Sequence, residues 1–233
     1  MKIVLFAGGV GSRLWPLCKI KYGVTETKRG ISNVLAFVLQ QYLFTSIIEL
    51  NAILKLYNVL ADRGSAKSRT YRYGGLNYRL LNESGNKTGV PIKASSIYFK
   101  PTLKYLQARF QENESLRLAF KPRLKTAIDW VLSKKPMNME DFVFQLKKEN
   151  VAAIIDPNET DFQFGITFID HRTKVVFEGI DIGTQYTVRA IKEKISSQEK
   201  EEKHSFRNLL EKRTPSPSLF EKQPKMGISR RAF

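Results

Sequence analysis

From Gly75 to Ile92 the chain alternates in polarity and then turns back, and few folds accept that pattern. Leu76, Tyr78 and Leu80 fall on one side of an extended strand, with Asn77 and Arg79 on the other. The segment NESGNKTG that follows is rich in turn formers, and Val90 and Ile92 resume the apolar pattern beyond it. This reads as a β-hairpin with one face for a core. A second copy follows about ninety residues later. Gly165, Ile166, Thr167 and Phe168 stand as Gly75, Leu76, Asn77 and Tyr78 do; a turn spans 170–174, and Val175 follows as Val90 does. In each half a capped helix leads into the hairpin. A lone hairpin is marginal in water, so each must pack on helices. The expected fold class is α+β: helices packed on small antiparallel hairpin sheets, in two repeated helix-hairpin units.

Helical spacing supplies the partners. Ile31, Val34, Leu35, Val38 and Leu39 share one side of a helix over 31–43. Ser46 and Glu49 have capping-box spacing, and the helix they open is expected to reach about Leu60, burying Ile47, Leu50, Ile53, Leu54 and Tyr57. Pro101 suits a first helical turn and predicts a helix to about Phe110. Further helices are expected over 122–134 and 139–149, the latter capped by Asn138 with Asp141 three residues on. Three short strands follow, VAAII, FQFGITFI and KVVFEG, and a last helix starts near Thr184. Tyr57, Tyr78 and Tyr98 read as core or half-buried aromatics. The chain divides into a strand and glycine-rich loop (1–17), a connector (18–30), a first unit (31–134), a second unit (135–194) and a basic, disordered tail (195–233).

Charge speaks to partners. Lysine and arginine number 39 against 22 acidic residues, a net +17, and a surplus of that size points to a polyanion, most simply nucleic acid. Two clusters stand out. Arg63, Lys67, Arg69 and Arg72 interleave with Tyr71 and Tyr73; Lys121, Arg123 and Lys125 form the second. Guanidinium groups meet phosphate oxygens bidentately, and exposed aromatic rings stack on bases. A single cysteine, Cys18, rules out a disulfide framework within the chain. No apolar run has the length of a membrane helix, and the apolar start is broken by glycines with no cleavage pattern, so a cytoplasmic protein without a membrane partner is expected.

The N-terminal MKIVLFAGGVGSRLWPL is strand-like and then glycine-rich. Gly8, Gly9 and Gly11 allow a tight turn with N–H groups close to phosphate, while Ser12 and Arg13 stand where a triphosphate would be met. Residues 1–17 resemble the signature of the mannose-1-phosphate guanylyltransferase type of sugar-phosphate nucleotidyltransferases. That likeness implies nucleotide binding by these five residues, with GTP and Mg2+. The alternating βα pattern that such an enzyme requires does not continue after residue 17.

Residues 30–193 resemble a different family. GISNVLAFVLQQYLFTSIIELNAILKLYNVLADRG, GLNYRLLNESGNKTGVPIKASSIYFKPTLKYL, RLKTAIDWVL and FGITFIDHRTKVVFEGIDIGTQYTVRAI are similar, in order, to the C-terminal, non-nuclease region of bacterial mobilisation relaxases. Relaxases nick a transfer origin with a tyrosine beside a metal held by clustered histidines. The histidines here are His171 and His204, too few for that site, so no catalytic or metal-binding residue is carried over. The resemblance implies a truncated or remodelled mobilisation protein that binds single-stranded or transfer-origin DNA, alongside other mobilisation proteins, without nicking it and without a cofactor. Two alternatives stay open: a nucleotidyltransferase fragment that uses the glycine loop, and a non-functional fusion joined near residues 17–20.

Overall fold

The structure is a computed structural model that describes residues 27–155 and 165–197. The glycine loop, the rest of the N-terminal segment, residues 156–164 and the tail beyond 197 lie outside the described residues.

Helix α1 (Thr27–Gln41) buries Ile31, Val34, Leu35, Val38 and Leu39, the side that their spacing predicts. It begins within the expected connector, on an exposed polar turn that gives no apolar signal. Helix α2 (Ile47–Lys55) is capped as its sequence predicts: the Ser46 hydroxyl accepts the Glu49 N–H at 3.0 Å. The Glu49 carboxylate reaches back to the Thr45 N–H at 2.5 Å. The helix stops at Lys55, short of the expected Leu60. Asn58 takes a left-handed φ of 60°, which asparagine tolerates better than most residues, and this turns the chain out of the helix. Val59 and Leu60 therefore belong to a strand, β1 (Val59–Asp62). After a connector that carries a single helical turn, α3 (Arg69–Arg72), come β2 (Asn77–Leu81) and β3 (Lys87–Lys93). The three strands form an antiparallel sheet in the order β1-β2-β3, with Ala61 opposite Tyr78 and Val59 opposite Leu80 on the core face.

Helix α4 (Leu103–Leu118) does not start on Pro101. Thr102 caps it, and the Pro101 carbonyl instead accepts the Tyr78 hydroxyl at 2.8 Å. The helix also runs two turns past the expected Phe110. Its continuation buries Asn113 and Arg117, polar residues that break the apolar periodicity a sequence reading follows. Tyr57 and Tyr78 are buried as expected, but Tyr98 is not: it is 97% exposed on the segment between β3 and α4.

The second half repeats this order, and it begins at α5, whose apolar side packs in the second core, rather than at the expected residue 135. Helix α5 (Lys121–Ser133) corresponds to α1, and buries Leu124, Ile128, Val131 and Leu132 where α1 buries Ile31, Leu35, Val38 and Leu39. Helix α6 (Met139–Lys148) corresponds to α2, capped by Asn138, which accepts the Asp141 N–H at 2.8 Å, while Asp141 accepts the Met137 N–H at 3.0 Å. Asn150, with φ 62°, then stands where Asn58 does. Strands β4 (Val151–Ile155), β5 (Ile166–Asp170) and β6 (Val175–Glu178) form a second antiparallel sheet in the order β4-β5-β6. A short turn α7 (Gly179–Ile182) leads to a helix α8 over 188–197, which follows β6 as α4 follows β3.

Two apolar cores result, and they interlock. The first contains α1, α2 and the first sheet, but also Ile169 and Val176 from the second. The second contains α5, α6 and the second sheet, with Leu43 packed against it. Leu43 also lies along β6: its N–H donates to the Lys174 carbonyl at 2.8 Å, and its carbonyl accepts from Val176 at 3.0 Å.

Candidate nucleic-acid interface

The first basic cluster sits on the connector between β1 and β2. Asp62 ends β1, and its carboxylate accepts the Gly64 N–H at 2.8 Å, with Gly64 in the left-handed region at φ 73°. This local turn sends the chain away from the sheet. Ser68 then caps α3 through the Tyr71 N–H at 3.2 Å. No residue of α3 is buried. Lys67, Arg69 and Arg72 are exposed and Arg63 is half-buried.

The connector orders its cations through its own rings. The Arg63 guanidinium lies over the Tyr71 ring at 4.3 Å, and Arg69 lies over Tyr73 at 5.7 Å. Arg72 donates to the Lys67 carbonyl at 3.1 Å. Tyr73 remains 80% exposed. Arginine held over an aromatic ring loses little further freedom on binding a phosphate.

The sheet below adds two cations that the sequence pattern alone does not single out. Asp62 accepts Arg79 Nε at 3.1 Å and Lys87 Nζ at 2.8 Å. Burial works to raise the Asp62 pKa, but the Lys87 and Gly64 bonds and the charges of Lys87 and Arg79 outweigh it, so Asp62 lies below the usual carboxylate range. The alternation that sets Arg79 on the other side of the strand from Tyr78 is the available signal. Its partners are not readable, because they lie on neighbouring strands.

The second cluster is placed differently. On α5, Arg123 forms an ion pair with the fully buried Asp170. Lys125 lies over the Tyr186 ring at 5.8 Å. Lys121 is half-buried at the start of the helix. Asp170 also accepts from the Arg172 N–H at 2.9 Å and the Thr173 hydroxyl at 2.8 Å, which closes the β5–β6 turn. Arg123 and Lys125 therefore bind partners within the fold.

Arg117, on α4, belongs to neither cluster and is buried. It pairs with the buried Glu49, donates to the Val176 carbonyl at 2.9 Å, and lies over Phe177 at 4.5 Å. Burial pushes the Glu49 pKa up, with the Arg117 charge pulling against it.

His171 sits in the β5–β6 turn. Burial, with help from the nearby Lys174, lowers its pKa to about 4, while burial raises that of Tyr42. The Tyr42 hydroxyl therefore keeps its proton, and it shares a hydrogen bond of 2.9 Å with Nδ1 of a neutral His171. Among the described residues, no three or more His, Cys, Asp or Glu side chains are grouped so as to hold a metal. No helix among them is long and apolar enough to cross a membrane. A cleft of about 100 Å³ opens between α2 and the second sheet, beside Ala52, Leu60, Ile154 and Ile166. Small-molecule sites run to roughly 300–1,000 Å³, so this cleft has room for little more than solvent.

Gly8, Gly9, Gly11, Ser12 and Arg13 lie outside the described residues. Compared with known proteins, the chain matches no family model, no curated protein and no solved structure.

Proposed function

We propose that this chain is a DNA-binding module, a truncated or remodelled relaxase-like mobilisation protein. It holds single-stranded or transfer-origin DNA in the cytoplasm during transfer of a conjugative or mobilisable element, and it does not nick that DNA. The observation that carries the reading is the β1–β2 connector. Four cations and two partly exposed tyrosines lie on the link between the first two strands, with two of the arginines held over rings. The cations suit phosphate oxygens, and the exposed face of Tyr73 suits an unpaired base. The net charge of +17 supplies the long-range attraction.

The test is fluorescence anisotropy with labelled single-stranded and duplex DNA across a salt series. Binding is expected to weaken steeply as salt rises, since each phosphate neutralised releases counterion. Replacing Arg69 and Arg72 with Ala is expected to lower the slope by about one for each phosphate that is no longer neutralised. Failure to bind either DNA at low salt would remove the reading.

A further inference from the structure

The three strands of the first sheet and the root of the basic connector meet at one carboxylate. Asp62 holds the Gly64 N–H at 2.8 Å, Arg79 Nε at 3.1 Å and Lys87 Nζ at 2.8 Å. Its side chain is only 15% exposed, whereas those of Arg79 and Lys87 are 30% and 50% exposed. One negative charge thus faces two positive ones, which leaves a local surplus of positive charge. Arg79 spends its Nε on Asp62. Among the described residues its two terminal nitrogens carry no hydrogen bond, and Lys87 has two further N–H donors.

We infer that Asp62 is a positioning residue that sets Arg79 and Lys87 as a phosphodiester-binding pair, extending the connector's DNA-binding surface onto the sheet. The inference rests on the DNA-binding reading above. A phosphate at this point completes an alternating cluster: carboxylate, two cations, phosphate. The carboxylate fixes the arginine fork in advance, so less side-chain freedom is lost when DNA arrives. Its bond to Gly64 sets the direction in which the connector leaves the sheet, which ties the two groups of cations into one surface.

The inference has an outcome that simple charge counting contradicts. Asp62→Asn removes a negative charge, and by net charge alone DNA binding should tighten. The Asn side-chain oxygen still accepts from Gly64, so the turn is kept while the grip on the two cations is weakened. If Asp62 positions those cations, binding weakens instead, by roughly three- to tenfold, with the salt slope shallower by about one. Arg79→Gln and Lys87→Gln remove surface cations and serve where Asp62→Asn alters folding. Each is expected to lower the slope by about one with only a small fall in Tm, since each breaks one partly exposed ion pair. The probes are the same labelled oligonucleotides, with melting followed by circular dichroism. Unchanged or tighter binding by Asp62→Asn, at wild-type Tm, overturns the positioning role. Wild-type slopes for Arg79→Gln and Lys87→Gln, while the Arg69 and Arg72 variants bind weakly, overturn the pair and leave the DNA reading standing. No DNA binding by the wild type overturns both.

Discussion

The two halves are assembled from corresponding parts, and they part company in the charge of the link between their first two strands. Each has two helices, an asparagine in the left-handed region, a three-stranded antiparallel sheet and a following helix. In the first, the link between strands one and two carries Lys67, Arg69 and Arg72 exposed and Arg63 half-buried. In the second, the corresponding link, 156–165, has three carboxylates and no lysine or arginine. On α5 of the second half, Arg123 pairs with Asp170 and Lys125 lies over the Tyr186 ring. A buried arginine must have its charge answered from within the protein, while an exposed one held by a ring can be answered by a ligand. The same scaffold thus supports an outward and an inward use of one residue type.

The sharpest test of inward against outward use is Arg117 on α4, an inward cation that belongs to the first half. Arg117→Met leaves Glu49 buried without its partner, and is expected to cost about 3–5 kcal/mol in urea denaturation. A cost under about 1 kcal/mol would class Arg117 with the surface cations and undo the contrast. The correspondence of the halves is tested next. Leu35→Ala and Ile128→Ala delete matching core side chains of α1 and α5, both fully buried. Each is expected to cost about 2–5 kcal/mol in the same assay. A near-neutral result at one site alone would show that the helices do not play matching parts.

The pH dependence of His171 gives a smaller effect with a definite sign. Its folded pKa is about 4 against an ordinary 6.5, so the neutral form is favoured on folding. Its contribution is complete above about pH 6.5. As pH falls from there toward 4 the unfolded chain takes up the proton first, and stability declines. By about pH 4.5 the loss from this group is about 2–3 kcal/mol, and below about pH 4 it grows no further. Denaturation midpoints at about pH 7 and pH 4.5 measure it, and His171→Gln is expected to flatten the difference. The first half has Leu81 in the equivalent place, its N–H bonded to Asn58 as that of His171 is to Asn150, so the titration belongs to the second half.

Much of this fold is legible in the sequence because apolar spacing is a local signal. Helices α1 and α6, both hairpins and both caps follow from residues at most four apart. The departures share a cause. Strand β1 reads as helix because Tyr57 and Leu60 continue a helical spacing that only Asn58 interrupts. The second half of α4 escapes because its inner face is Asn113 and Arg117, buried by virtue of partners on distant elements. Tyr98 reads inward because an aromatic in an apolar stretch usually is, and nothing local marks the turn that exposes it. The candidate interface divides in the same way. The cations of the connector can be counted in the sequence. That Arg123 faces Asp170, and that Arg79 and Lys87 share Asp62, depends on strand pairing.

Leu43 lies against β6, and Ile169 and Val176 fill the core built by α1 and α2. Those two side chains come later in chain order than every other part of the first core, so during synthesis that core stays unfinished until the second sheet has been made. Its helices and first sheet leave the ribosome with an apolar gap that only the second sheet closes. The basic connector meanwhile emerges early, on a sheet not yet seated. The connector's positive charge is therefore made before the second sheet that completes the first core, and both are in place together only once β6 has been made.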